Sequence, residues 1–437
     1  MSAPLAEWLA RIETLHSKPI DLGLDRVRAV AQRMGLAVPG VVFTVGGTNG
    51  KGSSCAMLEA ILLAAGYRVG LYTSPHLVRF NERIRVAGRE AGDDAIVAQF
   101  EAVEAARGDT PLTYFEFATL AALRLFSSER LDATILEVGL GGRLDAVNIV
   151  DADCAIVTSI DVDHVEYLGD TREHVGREKA HIFRPGRPAI CSDPVPPASL
   201  VEYAEAIDAD LWLCGRDFHY VGDQQQWSYR GREQRRNSLA YPALRGANQL
   251  LNASGVLAAL EALRARMPVS QQAVRHGFAE VLLPGRLQVL PGLPAVVLDV
   301  AHNPHAVAHL ASNLDAMERP GREFAVFGVM RDKDVDAIVA ALKDRFERWY
   351  LADLPGARAA SAQWIAERLR AAGIGAHDGD ATEPSRIECH ATPTQALRAA
   401  RAAARPNDRI VVFGSFLTVA DILASRASSD PSSRRPH

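Results

Sequence analysis

Residues 41–54 read VVFTVGGTNGKGSS, and the organisation of the chain is read outward from them. Val41 to Val45 is a short β-rich run, the glycines that follow make a loop, and CAMLEAILLAAG at 55–66 has the apolar period of a helix. In a strand, glycine loop and helix of this kind, backbone N–H groups converge on phosphate oxygens and the helix N-terminus adds the positive end of its dipole. Thr48, Asn49, Gly50, Lys51, Gly52 and Ser53 are therefore the expected nucleotide contacts, with Lys51 offsetting phosphate charge and Ser53 reaching a magnesium ion. The loop departs from GxxxxGK[ST] because Gly52 stands between the lysine and the hydroxyl residue. An ordinary glycine turn is the alternative reading, but it does not require the flanking strand and helix. ATP is the expected ligand.

Further short β-rich runs at 69–72, 133–138 and 154–158 alternate with helical stretches, so the first part of the chain reads as an α/β domain with a mainly parallel sheet. Between 211 and 242 the pattern changes to short alternating pieces, expected to form an antiparallel hairpin insert. The PGLP at 291–294 is read as a linker to a second series, AVVLDV, EFAVFGV, RWYLADL and RIVVFGS, each followed by a helix-like segment. The expected domains are 1–290 and a smaller Rossmann-like α/β domain at 295–425, followed by a disordered tail at 426–437.

At 437 residues and 48% hydrophobic, the chain is long enough for more than one core, and its net charge of −5 argues against nucleic acid or a membrane surface as partner. The five cysteines are scattered without a CxxC pair, as in reduced cytoplasmic proteins, and no apolar run reaches membrane length.

GTNGKGS at 47–53, TSPHL at 73–77, LEVGLGGRLDAVN at 136–148, SIDVDHVEYLG at 159–169, REKAHIFRPG at 177–186, LPGRLQ at 283–288, LDVAHNPHA at 298–306 and FGSFLTVADI at 413–422 occur in order over most of the chain. Together they resemble the folylpolyglutamate synthase branch of the Mur ligases. The resemblance implies transfer of the γ-phosphate of ATP to a substrate carboxylate, then attack of an amine on the acyl phosphate. Cations are needed because negative charge gathers on phosphate and carboxylate oxygens.

Glu137, at the end of an apolar strand, is the expected magnesium ligand, and pairing with Arg143 is its alternative role. The resemblance adds His164, Ser53 and Ser74 as metal ligands, although a histidine is an uncommon partner for Mg²⁺ and a core histidine is the simpler reading. It also implies that Lys179 is carbamylated, becoming a carboxylate-like ligand in a site for two magnesium ions, with a monovalent cation as a further candidate. Otherwise Lys179 belongs to a solvated basic helix face.

Asn252, read from the residues as a helix N-cap, is implied as an ATP contact, together with Arg286 and Asp299. His302 is placed near the phosphates or the incoming amine, and Ser415 and the Asp332-Lys333-Asp334 loop near glutamate. Closure of the two domains on the nucleotide is the expected gate against hydrolysis.

HSKPIDLGLDRV at 16–27 and LTYFEFAT at 112–119 resemble the segments of bifunctional members that hold dihydropteroate. Leu22, Gly23, Leu24, Asp25, Thr113, Tyr114, Phe115 and Glu116 supply apolar walls and acids suited to a flat pterin, and Leu144, Asp145 and Ala146 complete the expected pocket. Periodicity alone would make TYFEF an amphipathic helix. The implied reactions add L-glutamate to dihydropteroate and to tetrahydrofolate, in a cytoplasmic monomer acting on small molecules. The competing readings are a cell-wall or cyanophycin-like Mur ligase and a non-catalytic nucleotide-binding regulator. A missing UDP-sugar domain argues against the cell-wall ligase, and the retained Glu137, His164 and Lys179 argue against the regulator.

Overall fold

The computed structural model describes residues 3–18, 20–223, 225–246, 248–375 and 385–429. It divides into two compact units, Met1–Leu244 with Asn248–Leu282, and Arg245–Ala247 with Leu283–His437.

The strands of the first unit's main sheet are β1 (Val41–Gly46), β2 (Val69–Tyr72), β3 (Ile84–Val86), β4 (Arg89–Glu90), β5 (Ala133–Glu137), β6 (Cys154–Val157), β7 (Pro188–Cys191) and β8 (Asp210–Leu213), ordered β4-β3-β2-β5-β1-β6-β7-β8. Every residue of β1 is buried, as a strand covered on both faces requires. It pairs in parallel with β5 and β6, so Val45 lies opposite Glu137. Among the described residues of this sheet β3 alone is reversed, pairing antiparallel with both β2 and β4. The glycine loop thus leaves the carboxyl end of a central strand, where ligand crevices of α/β sheets form.

The expected insert begins later than the alternation suggests. Leu211 and Trp212 are buried in β8 and belong to the main sheet. The insert is a three-stranded antiparallel sheet of β9 (His219–Gly222), β10 (Gln226–Arg230) and β11 (Arg235–Ala240), rather than a single hairpin. Trp227 and Tyr229 on β10 face inward. Tyr229 Oη donates a 2.7 Å hydrogen bond to the buried Glu261, whose other oxygen accepts from the N–H groups of Glu233 and Gln234. That acid fixes the insert to the helix Asn248–Ala262.

The second unit contains β12 (Gln288–Leu290), β13 (Ala295–Leu298), β14 (Glu323–Phe327), β15 (Arg348–Ala352), β16 (Ile387–His390) and β17 (Arg409–Phe413), ordered β12-β13-β17-β14-β15-β16. Because β12 pairs antiparallel with β13, PGLP is a hairpin turn inside this unit and not a linker. The other pairings are parallel, over a core that includes Phe327, Phe346, Trp349 and Phe413. Each such side chain contributes roughly 1.5–3 kcal/mol on burial.

The last helix runs Phe416–Ser429, four residues into the expected tail. Helix propagation adds a hydrogen bond per residue once the buried Val419 and Ile422 have anchored it. The rest of the expected tail, 430–437, lies outside the described residues. Among the described residues no helix is long and apolar enough to cross a membrane.

Candidate active site

Gly50 ends the loop in the left-handed region, at φ 93°, and caps the helix Lys51–Ala64. Thr48 Oγ1 donates to the Asp161 carbonyl at 2.9 Å, and the Thr48 N–H donates to the Ser159 carbonyl at 2.7 Å. Thr158 Oγ1 donates to the Asn49 carbonyl at 2.7 Å. The segment after β6 therefore braces the loop. Lys51 Nζ donates to the loop carbonyls of Gly47 and Thr48 at 3.0 and 3.2 Å, which keeps its charge over the loop.

Asn252 is in the body of the helix Asn248–Ala262, not at its N-cap. A Cβ on Gly50 would lie 2.4 Å from Asn252 Oδ1, so the fold brings this residue onto the loop. Gln249, not anticipated from sequence, donates through Nε2 to the buried Ser53 Oγ at 3.4 Å and accepts from Asn252 Nδ2 at 3.2 Å. Its three-residue spacing from Asn252 on one helix face was the available signal.

Glu137 is buried at the end of β5 and accepts from the Ser74 N–H at 3.2 Å. Arg143, the partner considered for Glu137 in its structural role, forms an ion pair with Glu178 at 2.9 Å. His164 is exposed and not a core residue, and it begins the short helix Val165–Leu168 with φ 52°. A non-glycine residue there is strained and is typically held for a local purpose.

Lys179 is 3% exposed near the end of the helix Arg172–Ala180, so it belongs to no solvated face. Burial, with the nearby Lys51 charge, lowers its pKa to about 7 against the opposing pull of Asp163 and Asp145. Asp145 is itself raised to about 6 by burial, although it accepts from the Leu140 and Val147 N–H groups at 2.8 and 3.0 Å. The fold thus groups Lys51, Lys179, Asp145 and Asp163 within electrostatic reach. Asp163 was not singled out from sequence.

Among the described residues no three His, Cys, Asp or Glu side chains form a metal cage. The expected set contains only two of these, Glu137 and His164, and relies otherwise on Ser53, Ser74 and a modified Lys179. Glu137, a buried carboxylate with the Ser74 backbone beside it, is nevertheless a hard oxygen donor of the kind that magnesium prefers.

The two expected pterin segments meet. Arg26, on the helix Asp25–Arg33, bonds the Asp21 side chain and donates to Glu116 Oε1 at 3.2 Å. TYFEF does open a helix, Tyr114–Ser128, with Thr113 and Glu116 as its capping box. The polar groups of both residues therefore serve the architecture. Phe115 packs on the turn after β5: a Cβ on Gly139 would come within 2.6 Å of its ring. Leu24 is buried, as are Asp145 and Ala146; Leu144 is half-buried and Leu22 and Gly23 flank the same segment.

In the second unit, Asp299 follows β13 and accepts from the Leu287 and Ala301 N–H groups, both at 2.8 Å. Burial raises its pKa, opposed by Arg286. The Arg286 guanidinium lies 5.1 Å from the centre of the Phe416 ring, and the His302 ring is 6.1 Å from it. His302 Nδ1 lies 2.8 Å from the Val300 carbonyl and donates to it. Asn303, not His302, caps the following helix. Ser415 is buried and accepts from the Leu417 N–H at 3.2 Å. These residues gather at the carboxyl ends of β13 and β17 around Phe416, an organiser that sequence reading missed. The loop acid Asp334 caps the helix Val335–Leu342, and Lys333 pairs with Asp332 at 3.7 Å.

The Mur ligase middle domain model matches residues 45–194, and the Mur ligase glutamate ligase domain model matches 285–416. The dihydrofolate synthase/folylpolyglutamate synthase of Escherichia coli (strain K12) is 46% identical over 423 residues, which cover 97% of this chain and 95% of that protein. The chain belongs to the dihydrofolate synthase/folylpolyglutamate synthase family of Mur ligases. A Haemophilus influenzae member is 39% identical, covering 97% of this chain and 98% of its own. The structure of E. coli FolC in complex with DHPP and ADP superposes with TM-score 0.91 at 45% identity, covering 98% of both chains. A bifunctional folylpolyglutamate synthase/dihydrofolate synthase with Mn, AMPPNP and L-glutamate bound gives 0.87 at 43%, covering 97% of this chain and 98% of that one. The family and the Mur ligase fold, two α/β units with a mainly parallel first sheet and a mixed second sheet, agree with the resemblance carried by the motifs.

Proposed function

We propose that this family member joins L-glutamate to dihydropteroate, giving dihydrofolate, and adds further glutamates to tetrahydrofolate. What supports the reading is a glycine loop with Asn252 against Gly50, Lys179 within electrostatic reach of Lys51 and Glu137 opposite Val45 on the neighbouring strand, in a chain 46% identical to a named dihydrofolate synthase/folylpolyglutamate synthase.

A carboxylate oxygen of the pteridine acid attacks the γ-phosphorus of ATP and ADP leaves. The glutamate nitrogen then attacks the acyl carbon, and phosphate leaves as the amine gives up its proton. Lys51 and the loop N–H groups offset charge on the phosphates, while Asn252 and Gln249 set the loop and Ser53. Ser53, Ser74, Glu137 and His164 would hold magnesium. When bound, the metal offsets charge between phosphate and carboxylate oxygens.

With a pKa near 7, Lys179 has a large neutral fraction at physiological pH. Its nitrogen can add to CO₂, forming an N–C bond and releasing a proton, and the resulting carbamate would complete a site for two magnesium ions. A monovalent cation is a further candidate for the same region. In the second unit, Arg286 and Asp299 are assigned to the nucleotide, and His302 and Ser415 to the incoming amino acid. Phe115, Tyr114, Leu24 and Asp145 are assigned to the pterin. The reading makes the protein a cytoplasmic monomer.

The test is ADP release in the presence of ATP and magnesium, with dihydropteroate or tetrahydrofolate and L-glutamate each withheld in turn. Turnover requiring both the pteridine acid and glutamate is expected. ADP release independent of either would overturn the assignment.

A further inference from the structure

Arg83 ends the short helix Phe80–Arg83 and is 8% exposed. Arginine is seldom buried to this degree without partners. The other buried arginines have them: Arg409 bonds Glu323 and the Leu314 and Glu318 carbonyls, and Arg236 bonds Gln271, Gln234 and the Val269 carbonyl. Arg83 makes a single side-chain hydrogen bond among the described residues, from Nε to His76 Nδ1 at 2.8 Å. No carboxylate among them lies within 4.0 Å of its nitrogens.

The guanidinium is held by two rings, with its central carbon 5.5 Å from the centre of Phe80 and 5.4 Å from that of Tyr114. Ring faces favour a cation but supply no hydrogen-bond acceptor in the guanidinium plane. His76 accepts through Nδ1, so its proton is on Nε2 and the neutral ring brings no compensating charge. With Nε engaged, the edge left for recognition is the terminal pair of nitrogens, the fork that matches a carboxylate bidentately.

The position is equally specific. The Arg83 carbonyl accepts from the Thr73 N–H at 2.9 Å, and the next residue, Ser74, donates to Glu137. On its other side is Tyr114, the first residue of the helix that carries Phe115. Arg83 is therefore tied by its backbone to the strand end that carries Ser74, and its cation lies against Tyr114 of the expected pterin wall. Phosphates already have the 47–53 loop.

We propose that Arg83 binds the carboxylate of the pteridine substrate that the ligase activates. This rests on the ligation reading above. Aromatic walls beside an in-plane cation suit an aminobenzoate-type acid, with its ring against Tyr114 and its carboxylate on the guanidinium fork.

The experiment compares binding of dihydropteroate with that of its carboxamide, by fluorescence titration of the full chain without ATP or metal. In the wild type the acid should bind roughly 10- to 100-fold more tightly, as expected for a charge-assisted hydrogen-bonded pair. Arg83→Gln should erase that preference and Arg83→Lys should keep part of it, with KM for ATP little changed. A structural role alone would weaken acid and amide equally. Equal affinities in the wild type, a preference that survives in Arg83→Gln, or an effect confined to KM for glutamate would each overturn the proposal. The wild-type comparison decides even if Arg83→Gln fails to fold. If the wild type releases no ADP with dihydropteroate and glutamate, the ligation reading falls. If it turns over without discriminating acid from amide, only the role of Arg83 falls.

Discussion

Gly50 and Asn252 approach so closely that a Cβ on the glycine would stand 2.4 Å from the asparagine Oδ1. The phosphate loop is thus closed by a residue from a helix far along the chain, and glycine is required there for its left-handed φ and for space. Gly50→Ala should cost about 1–2 kcal/mol from backbone conformation alone. It should also lower kcat/KM for ATP at least ~10-fold, because every kilocalorie of lost phosphate contact is read directly in transition-state binding. Denaturant unfolding and steady-state ADP release check the two parts separately.

Glu137 and Arg143 separate two readings of the same acid. Glu137→Gln should lower kcat by roughly 100-fold or more, the scale of losing one charge-stabilising group, and should weaken the response to magnesium. Arg143→Ala, which removes only the pair with Glu178, should leave kcat within about threefold of wild type, as a partly exposed pair contributes little. A magnesium titration of both variants tests this. Comparable losses would return Arg143 to the site.

Lys179 makes a signed prediction about pH. Burial holds its pKa at about 7 against the ordinary lysine value of 10.5, so between those limits the unfolded chain binds the extra proton and stability rises with pH. The penalty is fully present below pH 7 and gone above about pH 10.5. In CO₂-free buffer, Lys179→Met should therefore raise Tm more at pH 6 than at pH 9. Lys179→Ala should lose turnover and regain part of it with added formate or acetate. An equal Tm change at both pH values, or full activity of Lys179→Ala, would remove the buried amine from the mechanism.

Glu116 joins the two pterin segments through one carboxylate. Glu116→Ala removes half of a capping box, about 1 kcal/mol, and the acceptor of a partly buried Arg26, about 1–3 kcal/mol. The combined loss should be roughly 2–4 kcal/mol by urea unfolding, with KM for dihydropteroate raised and KM for ATP little affected. Conversely, Arg26→Lys should retain most stability, since a single charged contact to Asp21 survives.

Much of this site was legible as motif. The strand, loop and helix at 41–64 point to a phosphate site through local spacing, and Asp299 is placed at a strand end by the apolar run before it. Other features depended on contacts that spacing does not encode. Gln249 and Asp163 become visible only when their neighbours from distant segments are in place. The place of Phe416 against Arg286 and His302 is likewise set by tertiary contacts. Thr113 and Glu116 read as pterin contacts, yet their polar atoms are engaged in a helix cap.

Periodicity, glycine placement and ordered motifs are local properties, so the α/β class, the nucleotide loop and the resemblance to Mur ligases are all readable along the chain. The same motifs single out Lys51, Glu137 and Lys179 as candidates. Only the tertiary structure decided what those residues are chemically. Lys179 is an ordinary cation in the chain and an amine of pKa about 7 once the fold removes water and brings Lys51 near. Arg83 is one of many arginines until packing buries it between two rings with no acid beside it. Desolvation and the field of non-adjacent charges set these properties, and both come into being only when the chain is folded.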